Sequence, residues 1–188
     1  AAPGARAGLL LEHACAELAR HGARLAIGPM DGSTWRSYRL VSDAGTEPPF
    51  FLEPSNPIEW NAHFAAAGFA PLATYHSSVT DARGYDDARV PRAAARLRDE
   101  GVRLRTLDPA RFLEELERID DLSLAIFAHN FLYTPVGRDE FVAQYRPIER
   151  VLDPRLVLMA ECGGELAGFL FALPDALEAQ RGGTPSSV

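Results

Sequence analysis

The segment GPMDGSTW at residues 28–35 has the composition of a ligand-binding loop. Two glycines, a proline and Asp31 fix an irregular geometry directly after a predicted strand, which is where α/β folds gather their ligands. Trp35 and the nearby Tyr38 are predicted to form the walls of a substrate pocket, with Asp31 as a polar contact. The alternative is that Trp35 packs in the core and Asp31 closes an Asx turn.

A second candidate site lies in the segment FAHNFLY at residues 127–133. This aromatic and polar cluster follows a predicted helix and precedes Thr134 and Pro135, a pair that favours the end of a helix. His129 and Tyr133 are its candidate substrate contacts. The competing interpretation is that the aromatic side chains form a packing plug.

The composition excludes several other kinds of site. The formal net charge is −7, and no cluster of basic residues is present, which argues against a nucleic-acid partner. All 19 basic residues are arginine, so chemistry that depends on a lysine is excluded within this sequence. Cys15 and Cys162 lie far apart without metal-ligand spacing, which predicts two packed thiols and no metal site.

The distribution of apolar residues predicts a soluble, cytoplasmic protein without a membrane partner. No apolar run approaches the roughly 20 residues that a membrane helix needs, and no secretory signal is seen. The sequence begins without Met, which leads us to expect that it starts within a longer protein.

Helix and strand signals alternate along the chain. In the first 80 residues, helices are predicted at 9–21 and 56–67, the second with Asn56 as N-cap, and strands at 24–28, 50–53 and 71–79. Residues 81–101 are polar and charged, and are predicted to be a linker. Beyond them, strands are predicted at 102–107, 156–161 and 165–173, and helices at 112–126 and 139–151. Gly163 and Gly164 predict a hairpin between the last two strands. The fold class is therefore α/β (α+β), with a mixed sheet flanked by helices.

Four short segments, taken in order, form a recognisable series. They are LLEHA at 10–14, AGFAP at 67–71, VRLRT at 102–106 and GGELAGFLF at 163–171. The first two resemble the closing part of the GNAT superfamily of N-acetyltransferases, and the last two resemble its opening part. The resemblance implies a GNAT-like acyl-CoA N-acyltransferase fold that is incomplete or permuted. Residues 1–80 would be the C-terminal half of one unit, and residues 102–188 the N-terminal half of a second, as in a slice of a tandem protein.

The resemblance implies acetyl-CoA as the co-substrate. In the family, backbone N–H groups at a helix start hold the pyrophosphate, because those donors lack partners and the helix dipole favours an anion. The cofactor-binding set carried over to this sequence is Gly4, Ala5, Arg6, Ala7, Gly8 and Asn56. Ala2 and Ala5 depart from the family pattern, and the competing interpretation is a helix start made of small residues.

The family often uses a tyrosine as the acid that protonates the leaving thiolate. Phe64 occupies the matching position here and cannot transfer a proton, so the catalytic residues stay unassigned. The family's acceptor region matches the segment that contains His129 and Tyr133. The resemblance thus implies an N-acetyltransferase whose acceptor is a small-molecule or peptide amine. It also leads us to expect that one of the two GNAT-like units is degenerate and that the protein forms a homodimer. The alternative is a non-catalytic GNAT-derived module for binding or scaffolding.

Overall fold

The computed structural model describes residues 3–80, 87–184 and 186. The chain divides into two compact units, Ala1–Val79 and Thr80–Val188, and each is described here by itself. The assignment of these units to halves of two GNAT-like folds stays a prediction.

The first unit contains two helices in contact with each other, Pro3–Arg20 (α1) and Glu59–Ala66 (α2). Each is followed by a glycine with a left-handed backbone, Gly22 at φ +85° and Gly68 at φ +89°. In both cases the next residue donates its N–H to the carbonyl five residues earlier, which closes a Schellman motif. The structure confirms both glycine stops.

The strands predicted in the first unit are wrong. Residues 24–28, 50–53 and 71–79 are all non-strand segments, and the β-structure described in this unit is one antiparallel bridge between Met30 and Tyr38. The predicted runs are short and lie next to glycine or proline. A strand also needs a neighbouring strand to satisfy its backbone groups, and none of these runs has one.

The second unit is an α+β arrangement. Its helices are Arg89–Asp99 (α3), Phe112–Phe127 (α4), Arg138–Tyr145 (α5) and Ala176–Gln180 (α6), and its strands are Val102–Thr106 (β1), Val157–Cys162 (β2) and Glu165–Phe171 (β3). Helix α5 ends at Tyr145 rather than at residue 151, and a 3-10 segment, Arg146–Arg150, continues it. Pro147 has no N–H to donate, which explains the change of helix type.

The three strands form an antiparallel sheet in the order β1-β2-β3. The prediction of a mixed sheet is therefore corrected for the described strands. Two neighbouring strands are parallel only if the connection between them carries the chain back to the end of the sheet where the first strand began. The connection that contains α4 and α5 does not do so, and β2 therefore runs antiparallel to β1. The predicted hairpin is confirmed: Gly163 at φ +61° and Gly164 at φ +89° form the type I′ turn that joins β2 to β3.

One face of the sheet packs on α4 and forms the core. Phe112, Leu116 and Ile119 follow helical spacing along α4 and are buried, as are Val157 and Met159 on the inward face of β2. The opposite face of the sheet is apolar and exposed through Leu104, Leu158 and Leu170, one from each strand. Among the described residues of the first unit, by contrast, no large apolar side chain is fully buried.

The predicted linker, residues 81–101, falls partly on residues 81–86, which lie outside the described residues. Its later part forms α3, which contacts β1 in the second unit. Cys162 is exposed at the hairpin turn rather than packed, whereas Cys15 is half-buried in α1. Within residues 3–80 and 87–184, no helix combines the length and the apolar character needed to cross a membrane.

Candidate functional site

The predicted cofactor-binding residues 4–8 form the first turns of α1. A Cβ built on Gly4 would lie 3.3 Å from Cε1 of His63, so the small residue permits α1 to approach α2 closely. Arg6 is exposed, and Ala7 and Gly8 are half-buried. The start of α1 contains no acidic side chain that would oppose an anion. The role in cofactor binding stays a prediction.

Residues 28–38 form a closed loop on the first unit. The N–H of Asp31 donates to the carbonyl of Ser37 at 2.8 Å, and the Met30–Tyr38 bridge closes the loop at its base. The side chain of Asp31 is 68% exposed, with Nη1 of Arg36 at 3.9 Å. Trp35 is half-buried, and its backbone N–H donates to Oγ of Ser33 at 3.3 Å. The predicted pocket role of Asp31 and Trp35 stays a prediction.

Tyr38 belongs to a cluster that the sequence analysis missed. Its ring meets that of Tyr75 edge-on with centroids 5.8 Å apart, and the Arg39 guanidinium lies 4.8 and 5.0 Å from the two centroids. Nη1 of Arg39 also donates to the Tyr38 hydroxyl at 2.6 Å. The cation therefore faces the aromatic rings, an arrangement that stabilises the loop.

Asn56 does not cap α2, because the residue at the N-cap is Ile58. Instead, Oδ1 of Asn56 accepts from the N–H of Val41 at 2.6 Å, and Nδ2 of Asn61 donates to the Val41 carbonyl at 2.8 Å. The two asparagines thus satisfy both backbone groups of Val41, in a segment without regular secondary structure. A cofactor contact by Asn56 stays a prediction.

The region between α4 and α5 contains a buried charged group, which we call the Asp120 cluster: Asp120, Tyr133 and Arg138. Asp120 is only 1% exposed, and neither of its oxygens accepts a hydrogen bond from the described residues. Nε of Arg138 lies 3.5 Å from Oδ2 of Asp120. Burial raises the pKa of Asp120, and the positive charge of Arg138 opposes that rise only in part.

Tyr133 reaches this cluster from the loop that joins α4 to α5. Its hydroxyl oxygen is buried, and burial raises its pKa, with a smaller contribution from the negative charge of Asp120. The preceding residue, Leu132, has a φ of +58°, which is strained for a residue with a branched side chain. His129 is exposed on the same loop, so the structure places Tyr133, and not His129, beside a buried charge.

The sequence contained a signal for Asp120. Leu116, Ile119 and Ser123 all lie on the buried face of α4, and Asp120 falls within that stripe. An acidic residue at a position that faces the core is unusual, because an ionised carboxylate without a partner is costly to bury. Such residues are enriched at functional sites. Arg138 carried no comparable signal.

A second buried ionic cluster, the Arg105 cluster, links α4 to β1 and β2. Nη2 of Arg105 donates to Oε2 of Glu115 and to Oε1 of Glu161, both at 2.8 Å, and Nη1 lies 2.7 Å from Oε1 of Glu115 at a poor hydrogen-bond angle. Arg118 donates to Oε1 of Glu161 at 2.7 Å. Hydrogen bonds donated by Arg105, and then by Arg118, lower the pKa of Glu161 to about 2. The hydrogen bonds that Arg105 donates to Glu115 and Glu161 raise the pKa of Arg105. Because its charges are matched, we regard this cluster as structural.

Other described features do not add to the candidate site. A groove of about 260 Å³ beside the start of α4 is lined by residues that include Arg111, Leu113 and Arg146, and none of the predicted site residues lines it. Within the described part of the chain, no three His, Cys, Asp or Glu side chains are grouped so that they could hold a metal ion.

Comparison with known proteins shows a distant similarity over most of the chain. Over 162 residues, 86% of this chain, it is 26% identical to a bacterial ceramide synthase from Caulobacter vibrioides. The chain spans 42% of that protein's length. No protein-family model matches the chain, and no solved structure matches it. The chain is therefore similar, at a distance and over most of its own length, to a protein named as a ceramide synthase.

Proposed function

We propose that this chain belongs to an enzyme that transfers an acyl group from an acyl-CoA thioester to the amine of a long-chain amino alcohol. The similarity to a bacterial ceramide synthase over 86% of the chain is the observation that carries the proposal. A ceramide is an amide between a fatty acid and the amino group of such an alcohol, so its synthesis is an N-acylation. The resemblance of the sequence to GNAT N-acetyltransferases supports the same reaction class independently.

The reaction requires two proton movements. The amine nitrogen attacks the thioester carbonyl carbon, the carbon–sulfur bond breaks, the nitrogen loses a proton and the CoA thiolate gains one. Tyr133 is the proposed acid for the thiolate, because a tyrosine hydroxyl is protonated at neutral pH and this one is buried in the segment that matches the family's acceptor region. Positioning of the amine against the thioester supplies much of the rate in such transfers.

In the first unit, taken by itself, the start of α1 is a proposed contact for the phosphates of a CoA molecule, and this site is separate from the one that contains Tyr133. The backbone N–H groups at the start of α1 lack intrahelical partners, and Arg6 adds a positive charge on the exposed side. Acetyl-CoA and long-chain acyl-CoA share these phosphates and differ only in the acyl group. Both are therefore donors to be tested.

One observation favours a second candidate, a non-catalytic binding role for the first unit. Phe64, which stands where the related family often has a catalytic tyrosine, packs edge-on against Phe69 with centroids 5.1 Å apart. It also lies 3.4 Å from the position that a Cβ on Gly28 would occupy. Phe64 is thus a packing residue in this unit.

The test is an acyl-transfer assay on the complete natural protein. The acyl donors acetyl-CoA and palmitoyl-CoA are each tested with two amine acceptors, sphinganine and a water-soluble polyamine. Release of the CoA thiol is followed by absorbance, and the N-acyl product is identified by mass spectrometry. We expect thiol release with sphinganine and a long-chain donor, and formation of the amide. If no donor and acceptor pair gives amide above a heat-inactivated control, while circular dichroism shows folded protein, the proposed function is wrong.

Substitution of Tyr133 by Phe tests the role of its hydroxyl. We expect kcat to fall by 10²-fold or more, the usual contribution of a positioned proton donor, with KM for the donor nearly unchanged. The matched control is Tyr145→Phe, since the Tyr145 ring packs on Phe141 with centroids 4.6 Å apart, within the core. Equal activity of the two variants would show that the Tyr133 hydroxyl takes no part in proton transfer.

A further inference from the structure

We propose that the buried carboxylate of Asp120 binds the protonated amino group of a long-chain amine. The inference rests on the proposed function for the class of ligand, but on independent geometry for the site. It assigns to one side chain the recognition of the acceptor, whereas the proposed function concerns the transfer.

The first observation is an imbalance of charge around Arg138. Its guanidinium contacts Asp121, lies 3.5 Å from Asp120 and lies 3.9 Å from Glu117. Three carboxylates therefore surround one described cation. Asp121 and Glu117 are solvated and neutralised by water and salt, whereas Asp120 is 1% exposed and has no such compensation. The buried end of the cluster has an excess of negative charge.

The second observation is that the hydrogen-bonding capacity of Asp120 is unused. A carboxylate accepts up to four hydrogen bonds, and neither oxygen of Asp120 accepts one from the described residues. Arg138 does not fill this role, because its Nε at 3.5 Å exceeds the roughly 2.7–2.9 Å of a charge-assisted hydrogen bond. A primary ammonium group has three donors and one positive charge, and so supplies both of the missing partners.

Other cations fit the site less well. A metal ion needs several oxygen or nitrogen ligands, and no three His, Cys, Asp or Glu side chains in the described part of the chain are grouped so that they could hold one. A second guanidinium would have to enter beside that of Arg138. An ammonium group on a flexible chain is smaller and has its charge at one atom.

The loop between α4 and α5 is the proposed entry for the ligand. It contains two single turns, closed by the N–H of Asn130 on the Phe127 carbonyl at 2.8 Å and by the N–H of Tyr133 on the Asn130 carbonyl at 3.0 Å. Phe131 is exposed on this loop, two residues from Tyr133, and offers an apolar contact to the hydrocarbon chain of an amphiphilic amine.

Binding measurements on the complete protein test this inference. The probes are dodecylamine, which carries the ammonium group, and N-dodecylacetamide, which has the same chain without the charge, both below their aggregation concentrations. We expect the amine to bind at least about tenfold more tightly than the amide, the effect of about one charge-assisted hydrogen-bonded contact. Equal affinity for the two probes would overturn the inference.

The variant Asp120→Asn keeps the shape of the side chain and removes its charge. We expect it to lose about tenfold or more in affinity for the amine and to bind the amide as the wild type does. Asp121→Asn is the matched control: it removes an exposed neighbour that shares Arg138, and should leave both affinities within about twofold. An unchanged affinity in Asp120→Asn, or an equal loss in both variants, would overturn the inference.

If Asp120→Asn does not fold, NMR of the labelled wild-type protein replaces it. Addition of the amine should then shift the carboxyl carbon of Asp120 more than that of Asp121, and the reverse result contradicts the proposal. The outcome is separable from the acyl-transfer assay. Binding through Asp120 without transfer would refute only the proposed function, and transfer with an unchanged acceptor KM in Asp120→Asn would refute only this inference.

Discussion

Replacement of Arg105 by Met tests whether the Arg105 cluster stabilises the second unit. The substitution keeps an aliphatic side chain that can cover the core and removes the guanidinium that lies between two carboxylates. We expect the free energy of unfolding of this unit to fall by about 3–5 kcal/mol, the usual cost of leaving one buried ion without its partner.

The magnitude follows from the burial of Glu115. This carboxylate is 1% exposed, and Arg105 contacts both of its oxygens, at 2.7 and 2.8 Å. Without Arg105, the nearest described cation is Arg118, with Nη1 3.5 Å from Oε2. Glu161 keeps its 2.7 Å contact with Arg118, so most of the loss comes from Glu115. A domain of this size is stable by about 5–15 kcal/mol, so the loss is a large fraction of the total.

Urea unfolding followed by circular dichroism measures the effect, and Arg103→Met is the matched control. The Arg103 side chain is 74% exposed and lies 3.4 Å from Glu161, so water screens its side of the pair and the contact is worth at most about 1 kcal/mol. The double variant Arg105→Met with Glu115→Leu removes both buried ions, and should recover most of the stability that the single variant loses.

Two results would refute this reasoning. If Arg105→Met and Arg103→Met cost the same, burial does not set the strength of these ion pairs. If the double variant is no more stable than Arg105→Met alone, the cost does not come from an unpaired Glu115.

Three further predictions concern stability. The pKa of Glu161 is lowered from 4.5 to about 2, so its contribution to stability is complete above the unfolded-state pKa and is lost as the pH falls through about 2. In urea unfolding at a series of pH values, Glu161→Gln should therefore lose less stability than the wild type between the unfolded-state pKa and about pH 2. Leu52 is 65% exposed and has a φ of +67°, a backbone conformation that glycine adopts without strain. Leu52→Gly should therefore raise the stability measured by thermal unfolding by up to about 1 kcal/mol. The control Leu72→Gly has no positive φ to relieve and should lower the stability. Asn56→Ala should lower thermal stability by about 1–3 kcal/mol, because the N–H of Val41 loses its acceptor. Asn56→Asp should cost less, because Asp keeps that acceptor. Equal losses in the two variants would contradict the assigned contact.

Local signals allowed helices α1, α2, α4 and α5 and the hairpin to be predicted from sequence. Gly22 and Gly68 follow α1 and α2 because a left-handed residue closes a helix, and that requirement depends only on neighbouring residues. Gly163 and Gly164 specify a type I′ turn for the same reason. The apolar stripe of α4 is likewise a property of one segment.

The features that depend on distant residues were not predictable from local patterns. The strands expected in the first unit failed because an apolar run becomes a strand only where a neighbour pairs with it. The local sequence predicts Asn56 to be a helix cap, but its partner Val41 lies 15 residues earlier in the chain. Tyr133 was a candidate from its residue type, whereas its proximity to the buried Asp120 depends on how the loop returns to α4.

The Arg105 cluster has a chemical consequence for a protein proposed to handle acyl thioesters. Thioesters react slowly with lysine amines without any enzyme, and the resulting amide has no charge. This sequence contains no lysine, and the cations that hold Glu115 and Glu161 are guanidinium groups, which stay protonated and are poor nucleophiles. The ion pairs that join α4 to the sheet are thus resistant to acylation by the donor itself, and prolonged incubation with acyl-CoA should leave the side chains of the cluster unmodified.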